Sequence, residues 1–598
     1  MSVAIEQRPD FFKSKVLGHP SGLFILFFTE MWERFSFYGM RVLLINFLTA
    51  AAVGANPGWA WSAENAGALF GTYAMLLYLT PIIGGVIADK LTGYRWAVVI
   101  GSILMTLGHA AMAIETELWL YIGLGLLVIG TGFFKPNISS IISDMYKDLP
   151  EKKDGAFTIF YMGVNAGAFF GMMLCGYLAE KVGWSWGFGL AGVFMLLGTL
   201  QFWLAKPLFG SIGDAPVKET EEAKIEKKNK QENLTQEQID EAKENPFTLV
   251  DKILIFISSL IGFSYAINDP LDKIANINLF GWLDNLGADI GLGGQYVAVL
   301  FGLVVFLILV VSRIARYTTI VRNRMIAVII FAFFTVFFWM SFEQGATSLI
   351  LFARDSVDRE LTGSSQTIFN IVNTLITVVP LAIITAVLVM LAKETGKKIL
   401  SSNIVLAICF LGIWTIAIWM LYREFSAETS EITVSWFSIL NSFFIIALAD
   451  LFSKWWDSKY NPSAAVKYGL GLIIMAVGFG LLAYGASGVQ PGVKVSMIWL
   501  ILAYLFHTMG ELCLSPVGLS YVSKLVPPRM IAFMFGMWYL AIAIGNKAAA
   551  AFGGQIEKIT EAYSLSTFFL IFTIVPLIAG LLIMTLNPLL KRLMHGVR

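Results

Sequence analysis

Glu30-Met-Trp-Glu33-Arg34-Phe-Ser-Phe-Tyr38-Gly39-Met-Arg41 sets four formal charges inside the first long apolar stretch of the chain. Spacings of three and four put Glu30, Glu33 and Arg34 within one helical turn, and Arg41 two turns beyond Arg34. An unpaired charge at the centre of a membrane helix costs ~2.5–3.5 kcal/mol on insertion scales, so such residues face a bundle interior or a wet cavity. A chain that keeps four of them together is expected to handle protons or charged solutes. The alternative is a buried ion-pair knot that ties helices together.

The surrounding sequence is membrane-like throughout. The chain has 598 residues, of which 57% are hydrophobic and only 14% charged, and a mean hydropathy of +0.73. A soluble core cannot absorb that much apolar sequence, so an all-α polytopic membrane protein is expected. The net charge of +1, with no basic tract, gives no reason to expect nucleic acid. No cleavable signal with a short apolar core precedes the first span, so that helix is read as its own insertion signal. Cys175, Cys409 and Cys513 are far apart and without metal-ligand spacing; packing is the default for all three.

Apolar runs predict spans near 21–50, 66–89, 96–115, 118–143, 156–179 and 185–207, and then a polar segment, 208–248. Further spans follow near 249–267, 290–315, 323–352, 365–392, 403–422, 432–456, 464–486, 495–522, 530–553 and 565–590, sixteen in all. Basic residues test the count. Arg8, Lys13 and Lys15 precede the first span, the loop 51–65 has no Lys or Arg, and every second loop thereafter is basic. Lys90/Arg95, Lys147/Lys152/Lys153, Arg313/Arg316/Arg322/Arg324, Lys393/Lys397/Lys398, Lys454/Lys459, Lys524/Arg529 and Lys591/Arg592 keep that phase. By the positive-inside rule both termini are cytoplasmic, and the phase holds only if 365–392 and 403–422 form a true hairpin. Ten acidic and six basic residues over 211–246 read as a solvated cytoplasmic linker, partly helical near 224–243.

Four stretches together carry a family resemblance. They are Glu30-x-x-Glu33-Arg34-Phe-x-x-Tyr38-Gly39; Gly84-Gly85-Val-Ile-Ala-Asp89-Lys90-Leu-Thr-Gly93-Tyr-Arg95; Gly130-Thr-Gly-Phe-Phe-Lys135-Pro136-Asn137, running on to Phe160-Tyr161-Met-Gly-Val-Asn165-Ala-Gly167; and Gly510-Glu511-Leu-Cys-Leu-Ser515-Pro516-Val-Gly518. In this order and on these spans the chain resembles the proton-dependent oligopeptide transporters of the major facilitator superfamily. The resemblance covers residues 20–190 densely and the remainder in patches. It implies two six-helix bundles around a central cavity that opens to either side in turn, embedded in the cytoplasmic (inner) membrane. It also implies symport of protons with di- and tripeptides, with protons as coupling ion and no other cofactor. A monomer is assumed. On this reading the domains are an N-terminal bundle at 1–207, the linker 208–248, an inserted hairpin at 249–315, a C-terminal bundle at 323–590 and a tail at 591–598. The second insert, 365–422, splits the C-terminal bundle and departs from the pattern; a peripheral, lipid-facing hairpin is the expectation.

A peptide zwitterion needs an anion for its amino end, cations for its carboxylate and roomy pockets between. Arg34, Arg41 and Lys135 put positive charge in the first bundle, and Glu343 and Glu511 put negative charge in the second. By resemblance, Lys135 and Arg34 hold the carboxylate and communicate with Glu30 and Glu33. Glu511 takes the amine, aided by Asn165 and by Asn441, with Ser515 one turn on; Glu343 pairs with Arg41 until it is protonated. Glu30, Glu33 and Glu343 are the proton candidates, and the sequence leaves open which carries the coupled proton. Tyr38, Tyr73, Tyr78, Tyr161 and Trp538 are expected to shape side-chain pockets. Phe37 stands where the family usually has tyrosine, and Asp450 where it usually has proline. Asn373, in the second insert, imitates the asparagine stretch assigned to Asn441.

Other classes are weaker. Scattered histidines (His19, His109, His507, His595) and no nucleophile beside a base give little for an enzyme. A proton symporter of another small solute, such as nitrate or an amphipathic acid, remains the alternative; glycine-rich broken helices with opposed charges suit a rocking carrier better than a channel.

Overall fold

The computed structural model describes residues 14–215, 245, 247–288, 291–488, 492–526 and 531–597. Arg8, Lys13, Arg529 and the helix expected near 224–243 fall outside these. Among the described residues, fourteen helices are long and apolar enough to cross a membrane; α1 (Ser21–Thr49), which carries the quoted charges, and α16 (Ile531–Gly553) bring the long helices there to sixteen. The first bundle comprises α1, α2 (Ala63–Ile87), α3 (Tyr94–Met112), α4 (Glu117–Met145), α5 (Pro150–Lys181) and α6 (Trp184–Leu204). An inserted pair follows, α7 (Leu249–Ala275) and α8 (Gly294–Ala315). The second bundle opens with α9 (Thr319–Phe342) and its continuation α10 (Ser348–Asp355), then the second insert, α11 (Gly363–Thr395) and α12 (Leu400–Ser426). It closes with α13 (Val434–Trp456), α14 (Ala464–Gly485), α15 (Met497–Leu525), α16 and α17 (Leu565–Thr585).

At 29 residues, α1 is about 43 Å long by the usual rise per residue, enough to cross a bilayer with its charges near mid-depth. Its seat in the bundle depends on α5. A Cβ on Gly167 would lie 2.2 Å from the carbonyl oxygen of Met31, and one on Gly171 2.2 Å from that of Phe35. Only glycine lets the two backbones approach so closely, the small-residue packing common where lipid gives helices no hydrophobic reason to associate. On the other face Trp32, fully buried, stacks on Phe194 of α6 at 5.3 Å and meets Phe410 of α12 edge-on at 5.7 Å.

Those ring contacts extend to the second insert. α11 and α12 come from the half of the chain that builds the second bundle, yet α12 packs chiefly on α6 of the first. Ser402 donates to the carbonyl of Gln201 at 2.8 Å, and Tyr177 of α5 donates to the buried Glu424 at 2.7 Å. The opposite face of the hairpin exposes Ile368, Ile371, Leu375, Val379 and Ile383, a suitable surface for lipid. The hairpin is therefore lipid-facing on one side only.

The first insert has a different neighbour. The start of α7 is fixed by a capping box, in which Thr248 Oγ1 accepts from Asp251 N at 3.1 Å and Thr248 N donates to Asp251 at 2.9 Å. α7 then lies along α2, with Thr72 donating to the carbonyl of Ala266 at 2.6 Å.

The bundles meet at one end. Glu180 at the end of α5 accepts hydrogen bonds from the free N–H groups of Val434 and Ser435 (2.8 and 3.1 Å), where α13 begins. Arg354 of α10 reaches Thr49 and Asn46 of α1 at 2.7 and 3.3 Å. α2 and α16 cross so tightly that a Cβ on Gly67 would stand 2.7 Å from the carbonyl of Ala550. Toward the other end Tyr161 of α5, on the face that turns to the second bundle, is 54% exposed. Asp450 is there too, paired with Lys454 at 2.5 Å, both side chains exposed.

Candidate functional site

A chamber lined by both bundles and open to solvent lies between them. Tyr38, Arg41, Tyr78, Tyr161 and Asn165 line it from the first bundle, and Glu343, Asn441 and Glu511 from the second. The structure thus brings together eight residues that the sequence singled out from five different helices and one turn.

That turn explains how Glu343 reaches the chamber. α9 stops at Phe342, and Glu343–Ala346 form one tight 3₁₀ turn before α10 resumes. The side chain of Gln344 holds the turn, donating to the carbonyls of Met340 (3.0 Å) and Ala549 (2.9 Å) and accepting from Ser348 (2.5 Å). Glu343 forms an ion pair with Arg41 across the gap between bundles. Its carboxylate is almost fully buried, whereas the arginine side chain is 15% exposed.

Glu511 stands on α15, where Asn441 donates to one carboxylate oxygen at 2.9 Å while also reaching Thr508 at 3.1 Å. Asn165 lies on the wall with its amide nitrogen bonded one turn back, to the carbonyl of Tyr161 at 3.0 Å. Asn373 is placed elsewhere: on α11 of the second hairpin, it accepts from Trp436 of α13 at 3.2 Å.

The charges of α1 divide by depth. Arg41 is on the wall, but Arg34 sits behind it, 6% exposed, with Nε 2.7 Å from Glu30 and 2.9 Å from Glu33. Only the Glu30 contact is a well-aligned hydrogen bond. Both oxygens of Glu33 and one of Glu30 are buried without a hydrogen-bond partner among the described residues. Buried carboxylate oxygens in that condition are costly unless a proton or a moving charge satisfies them. Phe37 lies between the two guanidiniums, its ring 5.6 Å from Arg34 and 5.9 Å from Arg41. Lys135 lies one layer out, its ammonium 4.6 Å from the ring centre of Tyr78, which does line the chamber.

Tyr73, Ser515 and Trp538 are not on this wall. Tyr73 is 3% exposed, its hydroxyl without a hydrogen-bond partner among the described residues, and Trp538 packs edge-on against Tyr468 at 6.5 Å, over Gly518. Sequence reasoning in turn passed over Tyr504, His507, Trp339, Phe342 and Ser438, all of which line it. A signal existed for two of them, since positions 504, 507 and 511 share one helical face. Among the described residues no group of three or more His, Cys, Asp or Glu could hold a metal ion, and the three cysteines are buried singly.

Comparison with known proteins bears on this architecture. A family model described as the POT family matches residues 95–228 and 413–572. The peptide transporter YePEPT of Yersinia enterocolitica is 31% identical over 592 residues, with 97% of this chain and 96% of that protein aligned. The chain belongs to the POT family. A di-/tripeptide transporter of Lactococcus lactis subsp. cremoris is 28% identical over 97% of this chain and 98% of its own length. Among solved structures, a peptide transporter POT in complex with sulfate is 29% identical, with a TM-score of 0.68 and coverage of 99% and 98% of the two chains. A POT family transporter in complex with 5-aminolevulinic acid, at 24% identity and a TM-score of 0.67, shares the fold. This POT protein is accordingly a multi-pass membrane protein of a transporter family.

Proposed function

We propose that the protein is a proton-coupled symporter that imports di- and tripeptides across the cytoplasmic membrane by alternating access. The observation that carries this reading is the pairing of Arg41 with Glu343 across the chamber, beside the carboxylate of Glu511 on the same wall. A peptide carboxylate that engages Arg41 frees Glu343 to take a proton, which links the two cargoes. The amine has Glu511 and Asn441 to meet it, and a wall of Tyr38, Tyr78 and Tyr161 tolerates varied side chains between the ends. Names borne by relatives, a peptide transporter and a di-/tripeptide transporter among them, support the same substrate class.

The bundles are joined at the end bearing the loop 50–62, which has no Lys or Arg, and they part toward the end bearing Lys147, Lys152, Lys153, Lys454 and Lys459. By the positive-inside rule that makes the open side cytoplasmic, both termini cytoplasmic, and this conformation inward-facing. The decisive experiment is uptake of a labelled dipeptide into proteoliposomes under an imposed pH gradient. Uptake should require an alkaline interior, collapse with a protonophore, and be competed by other di- and tripeptides but not by free amino acids. Absence of uptake under every gradient overturns the reading; gradient-driven uptake of a non-peptide solute in its place would favour the other-solute alternative.

A further inference from the structure

The joined end of the bundles holds a charge that the transport reading does not use. Lys547, on α16 of the second bundle, is only 6% exposed. Its ammonium has three hydrogen-bond donors and three acceptors meet them: Asp269 of α7 at 2.5 Å, Thr72 Oγ1 of α2 at 2.9 Å and the carbonyl of Ala68 of α2 at 3.2 Å. Every partner of this second-bundle lysine therefore lies on the first bundle or on the insert. Asp269 is itself 5% exposed and keeps a second contact, 3.0 Å to Lys273 one turn along its own helix. α7 is fastened to α2 by the bond from Thr72 to Ala266, so Asp269 is presented to Lys547 from the first-bundle side. Gly71 of α2 makes room for the lysine: a Cβ there would sit 3.1 Å from its side-chain carbon Cδ.

We propose that the inserted α7–α8 hairpin is a clasp for the outer gate, supplying through Asp269 the counter-charge that locks Lys547 between the bundles. The inference rests on the alternating-access reading, because it concerns the step in which α2 and α16 separate. When α16 swings away from α2, Lys547 leaves all three acceptors at once, whereas Asp269 retains Lys273. A buried ammonium cannot be stranded cheaply, so separation waits until water enters the gate to receive it. A further rung is exposed and weaker: Glu64 of α2 is 2.5 Å from Lys558, which is 63% exposed, and 3.6 Å from Lys273. The hairpin thus sets the resting balance between the two conformations without touching the cargo.

The test measures distances between spin labels on V53C and Y563C, exposed positions at the joined end on opposite bundles. The three native cysteines are buried. In the full chain, K547Q and D269N are each expected to raise the ratio of the long-distance to the short-distance population about tenfold, and the double variant no further than either single. K273Q should lower the ratio instead, since once Lys547 has left, Asp269 would have no cation on its own helix to retain. T72V removes one acceptor of Lys547 together with the Thr72–Ala266 bond that fastens α7, and should shift the ratio in the same direction as K547Q and D269N, which keeps the proposal testable if K547Q does not fold. A wild-type protein that switches distance with peptide and acid, but whose K547Q and D269N variants match it, overturns the clasp and leaves alternating access standing. Full additivity in the double variant also overturns it. A wild type locked at one distance under all conditions removes the alternating-access reading, and the clasp with it.

Discussion

Replacing Glu511 by glutamine isolates one charge at the site. The substitution keeps shape and one hydrogen bond: Asn441 donates to a carboxylate oxygen at 2.9 Å, and the glutamine carbonyl can take that role. Its NH2 group is then turned toward the chamber, where a peptide ammonium would meet a donor instead of an anion. A hydrogen bond to a charged partner is worth about 1.5–3 kcal/mol. At about 1.4 kcal/mol per decade the dissociation constant should rise roughly 10- to 150-fold. The half-buried setting of Glu511 on a wet wall argues for the lower part of that range. Binding should be measured by calorimetry on purified protein with a dipeptide and with its N-acetylated form. The acetylated peptide has no charge to lose, so it should bind both proteins weakly and within about twofold of each other, if the coupling lies between Glu511 and the amine. Equal affinity of wild type and E511Q for the free peptide would refute the amine assignment. Equal losses for both peptides would show instead a collapse of the chamber wall.

Glu343→Gln dissolves the cross-bundle pair with Arg41, and should abolish gradient-driven accumulation while peptide counterflow persists; retained accumulation in proteoliposomes would remove Glu343 from coupling. Glu33→Gln should likewise separate uptake from the proton gradient and spare exchange, and unchanged acid stimulation would move the proton to Glu30 or Glu343. Gly167→Leu forces a side chain into the 2.2 Å approach to Met31 and should cost about 1–3 kcal/mol of stability as an overpacked helix contact. It would be seen as a lowered thermal midpoint in detergent, with Gly125→Leu, which faces open space, as the neutral control.

The spans were legible because twenty apolar residues in lipid admit little but a helix. α1 was legible for the opposite reason, as its charges have no place outside a bundle interior. The turn at Glu343–Ala346 was not legible, since the residues around it are as apolar as any helix. Gln344 bonds Ala549, 205 positions away, and no local pattern reveals such a partner. Lys547 and Asp269 are 278 positions apart and belong to different helices; Lys547 alone reads as an isolated charge in a span, and Asp269 falls just beyond the span expected at 249–267. Depth was also invisible. Arg34 and Arg41 are two turns apart on one helix, but only the coordinates show that one faces the chamber and the other a wall of carboxylates. Residues such as Tyr504 and His507 could have been found by extending the face marked by Glu511 back two turns.

The second hairpin leaves its mark on how this molecule can be taken apart. Residues 363–426 issue from one lobe and settle against its neighbour, clipped to Gln201 by Ser402 and to Tyr177 by Glu424. A cut through the linker would therefore not yield two self-sufficient pieces. The N-terminal fragment would bare the groove around Trp32 and Phe194 that Phe410 fills, and the C-terminal fragment would carry a helix pair stripped of its seat on α6, held to α13 only through contacts such as those of Asn373 and Phe369 with Trp436. During insertion the early lobe must wait, greasy flank uncovered, until a ribosome some two hundred codons further along delivers its missing stave.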